Sequence, residues 1–369
     1  MKILVVCRSF HNMAGGIERM ASALMNEMCV RGHDVALLTW DRAGAQTFYE
    51  FDPRISWHTL DMGSHLVKAG WSLRFQRMFK MREMLRDIQP DVILAFQHGT
   101  FISTRLYAAG MGFPVIAAER EAPARFEHLK AGKWQWLIYQ SMRLARKVTI
   151  QCESYRGDYP AYLRSKIVTI PNPVFPATSF ASPEGEGAAR KILLCVGRLG
   201  YQKNQGVLID AFARLAEDFP DWDLLLAGEG EDRGKLESQV LQLGLAARVS
   251  IPGAVKDTVA LYCSSHLFCL PARWEGFPNV IAETLSHGLP AVGFAGCAGV
   301  RDLIEDGVNG ALANGNNDAG ALADALRRLM ADGTLRARMG KAGVESMKPF
   351  VPEKIFDLWD ALLREVSGR

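Results

Sequence analysis

No stretch of this 369-residue chain approaches the ~20 consecutive apolar residues needed to span a bilayer. Its seven cysteines include no C-x-x-C pair and no metal-ligand spacing. An odd count without framework spacing is the pattern of free thiols in a reducing compartment. The start, Met-Lys-Ile-Leu-Val-Val-Cys, has only a brief apolar run before Arg8 and Ser9. That reads as a buried first strand and not as a signal peptide, whose apolar region is longer. Zinc-finger spacing and aromatic RNA-binding signatures are missing too, so no nucleic acid is expected as partner. The expected location is the cytoplasm, peripheral on the cytosolic face of the inner membrane.

What is present is the composition of a globular protein, 49% hydrophobic and 22% charged. The length suits two domains better than one core. The net charge of +3 hides an asymmetry. Residues 1–175 carry 23 basic and 15 acidic side chains, and the remainder carries 20 and 25. A basic first half expects something anionic nearby.

Short apolar runs alternate with helical patterns in both halves. Lys2–Cys7, Asp34–Trp40, Asp91–Phe96, Val115–Ala118, Val148–Gln151 and Ile167–Ile170 read as strands in the first. Lys191–Val196, Leu224–Ala227, Val249–Ile251, Leu267–Leu270 and Ala291–Phe294 read as strands in the second. Strands alternating with helices predict a doubly wound parallel sheet, here twice. The predicted organisation is one α/β domain over 1–175, a Pro/Ser/Gly-rich linker over 176–190, and a second α/β domain over 191–351. A last helix at about 352–366 could pack back on the first domain. Ligands of open α/β sheets sit at the carboxyl ends of the strands, so the two domains are expected to face each other across a ligand cleft.

Two segments carry the chemistry. Glu275-Gly276-Phe277-Pro278-Asn279-Val280-Ile-Ala-Glu283 sets two carboxylates around a turn that opens a helix. With Asn279 as N-cap, the amides near Gly276–Val280 would bind phosphate. Glu283, one turn in, could accept from the two hydroxyls of a ribose, and Glu275 would be placed to reach a transferred sugar. Val196-Gly-Arg198-Leu-Gly-Tyr-Gln-Lys203-Asn204 leaves the first strand of the second half. There Arg198 can grip a diphosphate bidentately and Lys203 adds a compact charge. Neutralising a departing diphosphate is what glycosyl transfer requires. The ordinary reading of each segment alone is a capped helix and a solvated basic loop.

Together these segments resemble the family 4 glycosyltransferases. The resemblance extends to Gly15-Gly16-Ile-Glu-Arg19, Ile170-Pro-Asn172 and Leu226-Ala-Gly228-Glu-Gly230, and is more specific in the second half. It implies the GT-B architecture of two Rossmann-like domains and transfer with retention. It also implies that Arg198 and Lys203 hold the donor diphosphate, Glu283 the ribose, and Glu275 the donor sugar. Gly15 and Gly16 would form a loop closing on the donor. Ala118-Glu119-Arg120-Glu121-Ala-Pro123 resembles a Ser-Glu-Arg-x-x-Pro stretch of members that build bacterial surface glycans, with Ala118 in place of Ser. Glu119 and Arg120 would then face the acceptor, with a strand-end ion pair as the ordinary reading. His98 is a further acceptor-side candidate.

Two other patterns are set aside. Gly228-Glu-Gly230-Glu-Asp-Arg-Gly234 has its third glycine one place late for a dinucleotide fingerprint, and its acids would repel a pyrophosphate. Asp221-Trp-Asp223 has the form of a metal-binding D-x-D but stands at the amino end of a strand. No cofactor and no essential metal are expected. Lys68, Arg74, Arg77, Lys80, Arg82 and Arg86 interleave with Leu66, Trp71, Phe75, Met78 and Phe79. Such a stretch suits an anionic membrane surface, and Lys130, Lys133, Trp134 and Trp136 add a second.

The expected function is retaining transfer of a hexose-type sugar from a nucleotide-diphosphate donor, UDP-sugar favoured. The expected acceptor is a glycan or polyprenyl-diphosphate-linked sugar in bacterial surface polysaccharide or lipopolysaccharide assembly. The alternatives are a sugar-nucleotide epimerase or hydrolase on the same fold, or a non-catalytic nucleotide- or carbohydrate-binding protein.

Overall fold

The computed structural model describes residues 1–63, 70–128, 130–185 and 187–369. Leu66 and Lys68 of the first basic stretch lie outside the described residues. The chain divides into two compact units, Met1–Pro173 with Glu353–Arg369, and Val174–Pro352.

In unit 1 the chain runs β1 (Lys2–Val6), α1 (Gly16–Val30), β2 (Asp34–Thr39), β3 (Ser56–Thr59), α2 (Trp71–Ile88) and β4 (Val92–Phe96). It continues through α3 (His98–Tyr107), β5 (Val115–Ala118), α4 (Arg125–His128), α5 (Gln135–Met142), β6 (Lys147–Ile150), α6 (Ala161–Arg164) and β7 (Ile167–Thr169). The strands form one parallel sheet in the order β3-β2-β1-β4-β5-β6-β7. Every residue of β4 and of β5 is buried, as expected of parallel strands covered on both faces.

Unit 2 repeats the plan. It contains β8 (Lys191–Val196), α7 (Gln205–Ala213), β9 (Trp222–Ala227), α8 (Arg233–Gln242), β10 (Val249–Gly253), α9 (Thr258–Ser264) and β11 (Leu267–Leu270). Then follow α10 (Asn279–Ser286), β12 (Ala291–Phe294), α11 (Ala298–Arg301), β13 (Gly310–Ala313), α12 (Ala319–Ala331) and α13 (Gly333–Met347). Its parallel sheet has the order β10-β9-β8-β11-β12-β13. The fold class read from the sequence, two doubly wound α/β domains, is what the structure has.

The last helix, α14 (Pro352–Ser367), belongs to unit 1. It buries Ile355, Phe356, Trp359, Leu362, Leu363 and Val366, one apolar stripe at helical spacing, in the same core as Ile3, Met25, Leu94 and Ile116. At about 1.5–3 kcal/mol per large apolar side chain, that stripe contributes on the order of 10 kcal/mol. A hydrogen bond between His33 and Asp360 at 2.8 Å and an ion pair between Arg31 and Asp357 at 2.7 Å fix its direction.

The stretch expected as a linker, 176–190, is tied to unit 2. The Ala181 amide donates to the His287 carbonyl at 2.8 Å. Arg336, only 1% exposed, donates to the carbonyls of Pro183 at 2.7 Å, Glu184 at 2.9 Å and Leu329 at 2.6 Å, and lies over the Trp222 ring. Its Pro, Ser and Gly content allowed an open linker; a buried guanidinium that needs carbonyl acceptors holds the chain down instead.

Each sheet reverses its winding at one place, between β1 and β4 in unit 1 and between β8 and β11 in unit 2. Such switch points open crevices at the carboxyl ends of the strands, and they are where ligands of this fold class bind.

Candidate functional site

In unit 2 the loop 197–204 leaves β8 and the loop 271–278 leaves β11, so the two flank the switch point. The basic loop is shaped by backbone contact with the loop after β9. A Cβ on Gly228 would lie 1.9 Å from the Gly197 carbonyl oxygen, and one on Gly230 would lie 2.0 Å from that of Leu199. Only glycine permits that approach. The Leu199 amide donates to the Glu229 carbonyl at 2.8 Å across the same contact. The pattern Gly228-Glu-Gly230 therefore serves as a buttress for the loop that bears Arg198 and Lys203.

Gln205 clamps the loop from inside, its side-chain amide donating to the Arg198 carbonyl at 3.0 Å. Asn204, in the left-handed region with φ 59, donates to the Pro271 carbonyl at 3.1 Å and ties the two loops together. Gln202 adds a third tie, donating to the Trp274 carbonyl at 3.0 Å. With its main chain held this way, Arg198 presents an exposed side chain.

Lys203 and Glu275 meet across the switch point. The ammonium lies 2.6 Å from Oε1 of a carboxylate that is 6% exposed. Sequence reading had placed Glu275 to reach a sugar, and the structure shows it engaged with Lys203. The lysine stem runs over Gly197, at 3.4–3.7 Å from where a Cβ would be, an ordinary van der Waals distance. That path brings the ammonium to the β11 side.

The turn 276–278 opens α10, with one departure from expectation. Pro278 is the N-cap and makes no side-chain capping bond, and Asn279 is the first helical residue. The Asn279 amide turns back to the Phe277 carbonyl at 2.9 Å, and the Ile281 amide reaches Pro278 at 2.9 Å. A proline cap offers no side-chain oxygen, so this helix start depends on its own carbonyls. Phe277 is buried and packs against Phe350 at 5.9 Å between ring centres. Val280 and Gly276 remain partly exposed at the mouth of the turn.

Glu283 lies one turn into α10, and its Oε2 accepts from the Tyr262 hydroxyl at 2.9 Å. Tyr262 is buried on α9 and rests against the His287 ring at 5.5 Å. Sequence reasoning missed this tyrosine, and also Gln205. Both stand beside the candidate motifs, but nothing in their spacing marks them.

In unit 1 the acceptor-side candidates have different settings. Glu119 and Arg120, at the carboxyl end of β5, are both buried. Arg120 is stacked between Phe96 at 5.6 Å and Trp359 of α14 at 5.0 Å. Burial pushes the Glu119 carboxyl up to about 7 against the opposing pull of Arg125 and Arg120. No Glu119–Arg120 ion pair forms among the described residues; α14 supplies an aromatic cover that the strand pattern could not reveal. His98 begins α3, and its Nδ1 accepts from Arg125 at 2.8 Å. Burial first, and the Arg125 charge second, push His98 down to about 4, so its ring is neutral near pH 7. Gly15 is the N-cap of α1 and Gly16 its first residue. A Cβ on Gly15 would lie 2.2 Å from the Glu18 carboxylate.

The two aspartates of Asp221-Trp-Asp223 are occupied by cations. Asp221 pairs with Lys191 at 2.5 Å, and Asp223 pairs with Arg190 and, at 3.1 Å, with Arg248. Among the described residues no group of three or more His, Cys, Asp or Glu side chains is placed to hold a metal ion.

To the two parallel-sheet units and the basic loop at the second switch point the comparisons with known proteins add the class, a glycosyltransferase of GT-B architecture. Residues 14–177 match the model of Glycosyltransferase Family 4, and residues 179–346 match that of Glycosyl transferases group 1. The chain belongs to the family 4-like glycosyltransferases. It is 27% identical, over 100% of its length and 99% of the relative's, to GalNAc-alpha-(1->4)-GalNAc-alpha-(1->3)-diNAcBac-PP-undecaprenol alpha-1,4-N-acetyl-D-galactosaminyltransferase of Campylobacter jejuni. The amylovoran biosynthesis glycosyltransferase AmsD of Erwinia amylovora is 24% identical over 98% of this chain and 99% of the relative. Among solved structures, the lipopolysaccharide outer core galactosyltransferase WaaB superposes with a TM-score of 0.80 at 19% identity, covering 99% of both chains. HepE of Anabaena, in complex with UDP and glucose, gives a TM-score of 0.79 at 18% identity, covering 100% of both chains.

Proposed function

We propose that this enzyme transfers a hexose-type sugar from a UDP-sugar to a lipid-linked glycan acceptor, with retention, in bacterial surface polysaccharide assembly. The observation that carries the donor half of this reading is the Lys203–Glu275 pair at the switch point of unit 2, with exposed Arg198 on the same loop. An incoming diphosphate offers Lys203 two negative charges where Glu275 offers one. Arg198 adds a bidentate grip, and Glu283, already oriented by Tyr262, accepts from the ribose hydroxyls. Lys203 shared between diphosphate and Glu275 draws that carboxylate toward the donor sugar. Charge on the leaving diphosphate is neutralised as the glycosidic bond breaks, and the acceptor hydroxyl attacks from the same face. The donor phosphate takes the proton, so the reaction requires no protein base.

The acceptor half rests on unit 1 and on the relatives. The Campylobacter enzyme's name specifies an undecaprenol-diphosphate-linked acceptor, and HepE holds UDP and glucose. On α2, Trp71, Phe75 and Phe79 form an exposed stripe four residues apart, 76%, 55% and 66% exposed, beside Arg74 and Arg86. Trp134 and Trp136 are exposed as well. Aromatic and basic side chains on one surface suit the interface of an anionic membrane, where a lipid-linked acceptor would be found. No described helix is long and apolar enough to cross a membrane.

The test is nucleotide release from UDP-, GDP- and ADP-sugars, with and without a bacterial lipid-linked acceptor extract. Release from one donor that requires the extract, and that is lost in Lys203→Ala, is expected. Release without any acceptor would favour the epimerase or hydrolase reading, and silence with every donor while nucleotides still bind would favour a non-catalytic protein.

A further inference from the structure

A groove of about 690 Å³ lies between α7 and α8 of unit 2. Its rim is Tyr201, Arg273 and Asn317, on the loops that follow β8, β11 and β13. Val207 and Leu236, both buried, form its floor, and one wall follows the chain of α8 from Asp232 to Gln242. Ten residues at the helical rise make that wall about 15 Å long. Arg198, Lys203, Glu275 and Glu283 stand outside this lining, so the groove is distinct from the site already described.

The polar groups of the lining hold one another in place. At the rim, Arg273 donates to the Tyr201 carbonyl at 3.1 Å and to Oδ1 of Asn317 at 2.7 Å, and its guanidinium lies over the Tyr201 ring at 4.5 Å. Asn316 returns a bond to the Arg273 carbonyl at 3.0 Å, and Asn317 sits in the left-handed region with φ 71. Between the helices, Gln239 of α8 donates to the Gly206 carbonyl at 2.9 Å and to the Asp210 carboxylate at 2.6 Å on α7. Each pair leaves polar capacity over. Among the described residues, Oε1 of Gln239 and the second oxygen of Asp210 accept nothing, and the amide nitrogen of Asn317 donates to nothing.

Asp210 and Asp232 are balanced in the lining by Lys235 and Arg273, so the groove exerts no net pull on an ion. A nucleotide or a phosphorylated head group would meet as much repulsion as attraction. An amphipathic helix would set its apolar side against carboxylates and amides. The lining suits a neutral molecule dense in hydroxyl groups, each of which can donate and accept. Planar carboxylate, amide and guanidinium groups take neighbouring hydroxyls in pairs. The Tyr201 side chain, 54% exposed, adds aromatic surface for the carbon face of a sugar ring. Because the polar pairs are already fixed, less side-chain freedom is lost when a ligand binds.

We propose that this groove is a second glycan site, which holds a neutral stretch of oligosaccharide away from the reaction centre. The chain of sugars enters at Tyr201 and Arg273 and runs along α8 toward Gln242. The site catalyses nothing. Its effect is to keep the enzyme on a glycan, which raises the local concentration of acceptor ends. The inference goes beyond the donor and acceptor proposed above and holds whichever sugar is transferred.

The experiment is a ligand-observed NMR titration of the full-length protein, with no donor present and no transfer required. The probes are maltotriose, triacetylchitotriose and trigalacturonate. One of the two neutral trisaccharides is expected to bind with a dissociation constant of about 1 mM or tighter, and about tenfold more tightly than its own monosaccharide. Trigalacturonate should bind about tenfold more weakly, because its carboxylates meet Asp210 and Asp232. Asn317→Gly keeps the left-handed backbone and removes the side chain, and Asp210→Ala releases Gln239. Together they should weaken the neutral trisaccharide about tenfold. Ser238→Trp, at an exposed position of the lining, should fill the groove and abolish binding. An unchanged thermal melt by circular dichroism verifies the fold of each variant. No binding by either neutral trisaccharide would overturn the proposal. Binding that survives Ser238→Trp, or a preference for trigalacturonate, would overturn it as well. A protein that binds the trisaccharide in this way but releases no nucleotide from any sugar donor would sink the functional reading and leave the groove assignment standing.

Discussion

Replacing Lys203 by methionine keeps the length and apolar stem of the side chain and deletes its charge. The stem still runs over Gly197, but Glu275 loses the ammonium 2.6 Å away and is left as a carboxylate that is 6% exposed. Stranding one member of a buried ion pair costs about 3–5 kcal/mol. Lys203 is partly reached by solvent, so the lower end applies, about 3 kcal/mol. For a unit of the size of Val174–Pro352, each kcal/mol moves the melting temperature by about 2–4 °C, so a fall of about 6–12 °C is expected. Glu275→Gln in the same background removes the carboxylate that lost its ammonium, and the double variant should recover about 2 kcal/mol of that loss. Activity should separate from stability. Lys203→Met is expected to lower kcat/KM by about 10²–10³, the usual loss for one preorganised donor to a developing anion. The double variant should stay just as inactive while regaining its melting temperature. Calorimetry on the four proteins of this cycle decides the matter. A shift below about 2 °C for Lys203→Met, or simple additivity of the two substitutions, would refute the reasoning from burial.

Two other perturbations test separate parts of the molecule. Tyr262→Phe removes the hydroxyl that orients Glu283, a hydrogen bond to a charged group of about 1.5–3 kcal/mol. Donor KM should rise about tenfold with kcat within about twofold, and a matching fall in kcat during donor titration would count against the assignment of Glu283 to the ribose. The carboxyl of Glu119, pushed up to about 7 by burial, stays protonated to higher pH in the folded protein than its ordinary value would allow. Its contribution to stability is therefore full below about 4.5 and is lost as pH rises through about 7. Glu119→Gln should gain on the parent by up to about 3 kcal/mol between those limits. A difference in melting temperature between the two proteins that stays constant across this pH range would contradict the burial argument. His98, pushed down to about 4, has the opposite slope, but it is present in both proteins and cancels in the comparison.

The long elements were legible because buried parallel strands and amphipathic helices leave strong patterns. β8, β11 and β12 run over the residues expected from their apolar runs. What escaped notice were the edges. β3 is Ser-Trp-His-Thr, an outermost strand with a mixed, half-exposed sequence. β13 is Gly-Ala-Leu-Ala, and a Cβ on Gly310 would lie 2.0 Å from the Ala291 carbonyl oxygen. Its glycine answers to that close approach, and its alanines carry no strand signal. In the candidate site the charged residues were visible by type and place, since loops after strands are where such a fold binds. Their partnerships were not. The meeting of Lys203 with Glu275 spans 72 residues of sequence, and that of Tyr262 with Glu283 spans 21. Neither pairing leaves a periodic trace.

The return of α14 to unit 1 makes unit 2 an insertion within the other unit's chain. Val174–Pro352 is continuous, whereas unit 1 needs both Met1–Pro173 and Glu353–Arg369. On the ribosome, the unit translated second is thus the first to have all of its residues. Until the final helix emerges, unit 1 exists with Arg120 stacked on Phe96 alone and with no Trp359 over its other face. Loss of the C-terminal helix by a frameshift or by trimming would strike the part of the protein that was synthesised earliest, and would spare the core assembled from the middle of the chain.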